Sequence, residues 1–192
     1  MLSRAEGPAM GHHTFDVEMA DALDDPSRYE HLSAAELVGA AALAAADRVL
    51  DVGSGTSFYT DALAGVADRV RAVDLQPAMA ARYRERGVPD GVDLVAADAG
   101  QLPLAADAVD VAVSTMTYDE LPAAALDELA RVVRPGGRLV VADWTASGPG
   151  EAGPPPAERF DAWTAAAAVD DAGFTVRRTE SRIETFLLTA VR

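Results

Sequence analysis

Cysteine is absent from the 192-residue chain, and thiol nucleophiles, zinc–cysteine centres, iron–sulfur clusters and disulfides are excluded with it. Lysine is absent too. No Schiff base and no P-loop lysine can form, and all 16 basic residues are arginine. Asparagine does not occur, and isoleucine occurs once, as Ile183. No apolar run approaches the roughly 18–20 residues of a membrane helix, and the chain does not open with a signal-peptide pattern. The expectation is a protein of the cytoplasm without a membrane partner.

Positive charge is scarce. Against 31 acidic residues the arginines leave a net charge of -15, which repels nucleic acid unless a local basic patch overcomes it. The richest candidate is Arg82, Arg84 and Arg86 with Glu85 among them, and a solvated helix face accounts for that trio better than a phosphate track. No nucleic-acid partner is expected. The missing residue types point to GC-rich coding, and the acid excess reads as a halophilic-like adaptation to high internal salt. Length and a hydrophobic content of 49% fit one globular domain.

Along the chain, residues 1–14 read as a leader. Phe15, Met19, Ala22 and Leu23 lie at helical spacing and stop at Asp25-Pro26. Ser33-Ala-Ala-Glu36 is a capping box that opens a second helix. The division expected is a leader and lid segment over 1–32 and one main domain over 33–192. Short apolar runs at 48–52, 69–73, 92–96, 109–113 and 138–142 read as buried strands. Helices are predicted over 77–86, 121–133 and 157–172, with a break at Arg134-Pro-Gly-Gly137 and a cap at Gly173. Two last runs, 174–178 and 183–191, stand too close for a crossover helix. The pattern predicts an α/β, Rossmann-like, doubly wound and mostly parallel seven-stranded sheet, with an antiparallel edge strand and helices on both faces.

In such a sheet ligands bind beyond the carboxyl ends of the strands, near the point where strand order reverses. The first strand ends in Asp51-Val-Gly-Ser-Gly-Thr-Ser57, where Gly53 and Gly55 permit a tight turn and close approach to a ligand. Asp74 ends the second strand 19 residues after Gly55, placed to accept from ribose hydroxyls, and Asp98 lies just past the third. A dinucleotide site wants a third glycine where Phe58 stands. An acid at the mouth of the turn opposes phosphate and suits a ligand carrying an ammonium and a sulfonium, which favours S-adenosylmethionine over NAD.

With Val49-Leu-Asp-Val-Gly-Ser-Gly55, Ala72-Val-Asp-Leu75, Ala97-Asp-Ala99, Val109-Asp-Val-Ala-Val113 and Arg131-Val-Val-Arg-Pro-Gly-Gly-Arg-Leu139, the sequence resembles the class I S-adenosylmethionine-dependent methyltransferases, close to their small type 11 group. The resemblance implies S-adenosyl-L-methionine as cofactor, with Asp51, Gly53 and Gly55 around its methionine part and Asp74 on the ribose. It sets Leu75 against the adenine, Asp98 on the adenine amino group beside Ala99, and Ser114 near the transferred methyl. Ser57 departs from the family, which usually has a third glycine there. The run Phe15 to Arg28 also looks like the leader of a small prokaryotic subgroup whose leaders fold over the cofactor.

Within that family the absences narrow the chemistry further. Without lysine there is no Lys-Asp-Lys-Glu set for ribose methylation. No Asn/Asp-Pro-Pro-aromatic tetrapeptide occurs, and without cysteine pyrimidine C5 methylation through a covalent adduct is excluded. Methyl transfer needs alignment and dryness more than a base. Candidates for the catalytic side are His12, His13 and Tyr118, with His31 and Asp119 behind them; Asp119 reads more readily as a helix cap. Trp144 reads as a pocket wall or core, Trp163 as core, and no metal site is expected. The reading is methyl transfer to a small-molecule acceptor by a monomer or homodimer. Its rivals are a non-catalytic cofactor-binding or partner module on the same fold and an NAD(P)-dependent oxidoreductase.

Overall fold

The computed structural model describes residues 15–192. Seven strands form one sheet: β1 Arg48–Val52, β2 Arg69–Asp74, β3 Val92–Ala96, β4 Val109–Thr115, β5 Val133–Trp144, β6 Thr175–Ser181 and β7 Thr185–Val191. Their spatial order is β3-β2-β1-β4-β5-β7-β6. The first five run parallel, with β1 flanked by β2 and β4. The chain therefore moves outward to β3 and returns to β4, and the strand order reverses between β1 and β4. The gap between β6 and β7 is too short for a crossover, so they pair antiparallel at the edge of the sheet. The strand that reverses is β7, lodged between β5 and the outermost strand β6.

Both faces are covered, which is why the central strands read as unbroken apolar runs. One core packs Leu50, Ala112, Leu139 and Phe186 under α4 (Ala125–Val132) and α5 (Ala162–Asp171). The other packs Val49, Val111 and Val140 under Leu37 of α1 (Ala34–Ala41) and Leu63 of α2 (Thr60–Ala64). The fifth helix, α3, spans Pro77–Arg86 as predicted.

Several elements differ from expectation for local reasons. Arg134–Gly137 do not break the chain before β5. They bulge within it, because Val109 pairs with Val133 and Val111 next with Arg138, and Gly136 takes up φ 74° in the bulge. The helix expected over 121–133 is the 3₁₀ turn Tyr118–Glu120 followed by α4, and the one expected from 157 starts at Ala162. There Asp161 Oδ1 accepts from the amides of Trp163 and Thr164 at 2.9 and 2.8 Å. No helix lies between β3 and β4. Trp163 is not core: Ala162, Ala165 and Val169 form the buried stripe of α5, and the indole one position along is 74% exposed.

Ahead of α1 lie two 3₁₀ helices, Val17–Asp24 and Pro26–Glu30, where the spacing suggested one amphipathic helix. Ala20 is the residue they bury, while Met19 points outward. The arginines of α3 are not merely a solvated face. Arg82 pairs with Asp21 and donates to the Val17 carbonyl, and Arg86 pairs with Asp24. Thr56 Oγ1 donates to Asp24 at 2.6 Å, and Gln76 Nε2 to the Phe15 carbonyl at 2.9 Å. The segment 15–31 is thereby clamped across the carboxyl ends of β1 and β2.

Candidate functional site

The turn after β1 is built by backbone geometry that only glycine adopts freely. Gly53 and Gly55 have φ 68° and 53°, and the amides of Gly53 and Ser54 both donate to the Val73 carbonyl, at 2.8 and 3.0 Å. Asp74, at the end of β2, accepts from the Gly55 amide with Oδ2 and from the Gln76 amide with Oδ1, both at 2.8 Å. Burial raises its carboxyl above the ordinary value while those two bonds pull the other way. Above this turn opens a cleft of about 930 Å³, counted to its open mouth. Gly53, Gly55, Asp74, Leu75, Asp98 and Ala99 line it, six of the eight residues expected around a cofactor.

The other two stand behind the wall. Asp51 is fully buried, its Oδ2 accepting from Thr60 Oγ1 at 2.6 Å while Oδ1 has no partner. Burial pushes its carboxyl up to about 6 against the lowering effect of Thr60. Ser114 is also fully buried with an unpartnered hydroxyl. Strand β4 continues two residues past the predicted end, so Thr115, Met116 and Thr117 reach the cleft instead.

On the acceptor side the expectations need correction. Tyr118 does not line the cleft. Its ring packs against Phe160 and Phe186, with centroids 5.7 and 6.4 Å away, in the apolar core beneath the sheet edge. Asp119 caps no helix; its amide donates to Asp143 Oδ2 at 3.2 Å, and α4 has no side-chain cap. His31 stacks edgewise on Trp144, which also sits beneath the Arg159 guanidinium, so neither ring faces the cleft. His12 and His13 lie outside the described residues. No group of acids and histidines among the described residues is arranged to hold a metal.

Arg28, Thr117 and Glu120 also line the cleft, and the sequence reading assigned none of them a role. Arg28 lies over the rings of Phe58 and Tyr59 at 5.3 and 5.6 Å, and desolvation lowers its pKa. Thr117 ties the β4 end to the β1 turn through Oγ1 and the Gly53 carbonyl. Glu120 also lines the cleft; burial first, then Asp119 and Asp74, lift its carboxyl to about 7. Their places in the run Phe15 to Arg28 and just past the fourth strand are the only signal these residues carry in the sequence.

Comparison with known proteins decides the family. A crystal structure of a SAM dependent methyltransferase from Aquifex aeolicus matches with a TM-score of 0.85 and 30% identity, over 92% of this chain and 98% of that one. The chain belongs to the class I S-adenosylmethionine-dependent methyltransferases. The family model for a methyltransferase domain matches residues 50–141 of this chain. A demethylmenaquinone methyltransferase of Mycobacterium sp. (strain KMS) is 37% identical over 112 residues, 57% of this chain and 47% of that protein. The chain spans about half the length of the curated relatives it matches. A Haloferax volcanii methyltransferase solved in complex with the Trm112 methyltransferase activator shares the fold, with a TM-score of 0.76 at 21% identity over 91% of this chain.

The cleft of this chain fits the family's cofactor on its own chemistry. The Asp74 oxygens each accept one amide and keep lone pairs for a second donor. Asp51 holds a buried oxygen without a donor directly beneath the glycine turn. The third position of a dinucleotide turn is filled by Phe58, stacked on Tyr29 at 4.6 Å, which leaves no phosphate cradle there.

Proposed function

We propose that this protein transfers a methyl group from S-adenosylmethionine to a small-molecule acceptor held in the same cleft. The observation that carries the reading is Asp74, which ends β2, accepts from the amides of Gly55 in the glycine turn and of Gln76, and lines the cleft. Ribose hydroxyls would take its free lone pairs, Leu75 would lie against the adenine, and Asp98 with Ala99 would meet the adenine edge. Gly53 and Gly55 allow the methionine part to approach the backbone, and the Asp51 charge behind them favours its ammonium. Arg28 has no carboxylate partner among the described residues and would receive the methionine carboxylate. Ser114 then supports the wall from behind.

When bound, the cofactor supplies a methyl carbon already activated by its sulfonium. The chain's part is to align the acceptor and keep water out. Phe15, Leu23 and Arg28 from the N-terminal segment line the cleft, so residues 1–32 act as its lid and 33–192 as the catalytic body. His12 and His13 stand three and two positions before Phe15 in the sequence and stay candidates for the acceptor side.

Calorimetric titration with S-adenosylhomocysteine, with NADH in parallel, tests the reading. Micromolar binding of the first alone is expected. Silence from both would leave the fold as a partner-binding module.

A further inference from the structure

The carboxylates around the cleft are not equivalent. Asp74 has an amide on each oxygen, Asp98 Oδ1 accepts from the Gly100 amide at 2.8 Å, and Asp51 lies behind the wall on Thr60. Glu120 alone among them lines the cleft with a side chain to which no described residue donates. Its backbone is fixed nonetheless: its amide donates to the Thr117 carbonyl at 3.0 Å, and Thr117 Oγ1 to the Gly53 carbonyl at 3.1 Å.

The turn that carries Glu120 is thus tied to the glycine turn of β1 across the point where strand order reverses. The same cleft offers apolar surface at Phe58, Met116, Leu121 and Pro122 for the body of an acceptor. Burial and the neighbouring Asp119 and Asp74 charges lift the Glu120 carboxyl to about 7, a basicity matched to removing a proton near neutral pH.

We propose that Glu120 is the catalytic base, accepting the proton of an acceptor whose nucleophile is an O–H or N–H group. The inference rests on the methyl-transfer reading above. The step balances: the acceptor's lone pair closes on the methyl carbon, the bond from that carbon to sulfur breaks with its electrons left on sulfur, and the acceptor's proton passes to the Glu120 carboxylate. One positive and one negative charge vanish together.

The test needs no knowledge of the acceptor. Sinefungin carries an ammonium in place of the cofactor's transferred methyl, so its N–H groups stand where a base would be met; S-adenosylhomocysteine lacks them. Calorimetric titration of the full chain with both ligands should show that Glu120→Gln lowers the preference for sinefungin about five- to tenfold, the loss of one charge-assisted hydrogen bond. Affinity for S-adenosylhomocysteine should stay as in the parent, and Tm should not fall, since the glutamine relieves a buried, repelled charge. Glu120→Asp keeps the charge but withdraws it by a methylene, and its preference should fall between the two; it carries the test if the glutamine variant does not fold. An unchanged preference overturns the proposal. So does an equal loss for both ligands, which would place Glu120 on the ribose or adenine. If neither ligand binds the parent protein, the cofactor reading itself has failed, and the base assignment falls with it.

Discussion

Thr117 Oγ1 donates to the Gly53 carbonyl across 3.1 Å, and its methyl group fills the space that a Cβ on Gly53 would need. The pair joins the β1 turn to the β4 turn, and with φ 68° Gly53 cannot be replaced without strain as well as collision. Gly53→Ala should cost about 2 kcal/mol or more, the range for an unfavourable backbone with a steric clash. It should also abolish S-adenosylhomocysteine binding. Chemical denaturation and calorimetry read the two effects separately.

Asp74→Ala removes the acceptor of two amides and the proposed partner of the ribose. Cofactor affinity should weaken by about 1–3 kcal/mol, the usual penalty for polar partners left unmet. Titration with S-adenosylhomocysteine measures it, and unchanged affinity would overturn the placement of the ribose.

Ser57 holds φ 67°, and its buried hydroxyl has no partner. A side chain in left-handed backbone costs about 1–2 kcal/mol, of which glycine returns part as unfolded-chain entropy. Ser57→Gly should therefore raise stability by about 1 kcal/mol, seen as an increased Tm. The serine is tolerated in the turn, and its cost falls on stability.

Arg86 pairs with Asp24 and lies over the Tyr83 ring at 5.5 Å, pinning the N-terminal segment to α3. If this segment acts as the proposed lid, Arg86→Ala should loosen it and speed S-adenosylhomocysteine dissociation about three- to tenfold in stopped-flow measurements, with a smaller change in Tm. Dissociation at the parental rate would overturn the proposed lid role of this contact.

Asp110 accepts from Arg134 Nε at 2.6 Å and from the Arg48 amide at 2.8 Å, bracing β4 to β1 and β5. Burial opposes its charge, but these bonds win and hold the carboxyl at about 2. Its folded pKa lies below the unfolded value of about 3.9, so the stabilisation is complete above pH ~4 and is lost as pH falls towards 2. Acid titration of the parent should show that loss, and Asp110→Asn should flatten the slope in this window.

Much of the architecture was legible along the chain. The strands at 48–52 and 92–96 and the helix at 77–86 occupy the predicted residues, because buried parallel strands are short apolar runs and Pro77 marks a helix start. Among the six cleft residues, Gly53, Gly55, Asp74 and Asp98 were legible from their places at strand ends, while Leu75 and Ala99 came from the family resemblance. Trp163 and Tyr118 were misjudged because hydrophobicity does not say which aromatic side chain faces the core. In α5 the small residues Ala162, Ala165 and Val169 take the buried stripe, and at the end of β4 the neighbours Phe160 and Phe186 draw Tyr118 inward.

The sequence by itself determined the alternation of strands and helices, the glycine turn after β1 and the acids at the strand ends, since each depends on residues a few positions apart. Only the tertiary structure decided which acids see the cleft, that Asp51 and Ser114 stand behind it, and that Arg28 and Glu120 belong to it. It also turned Arg82 and Arg86 from surface charges into clamps on a segment some 60 positions earlier. Those outcomes rest on burial and pairing between distant stretches, which local periodicity does not encode.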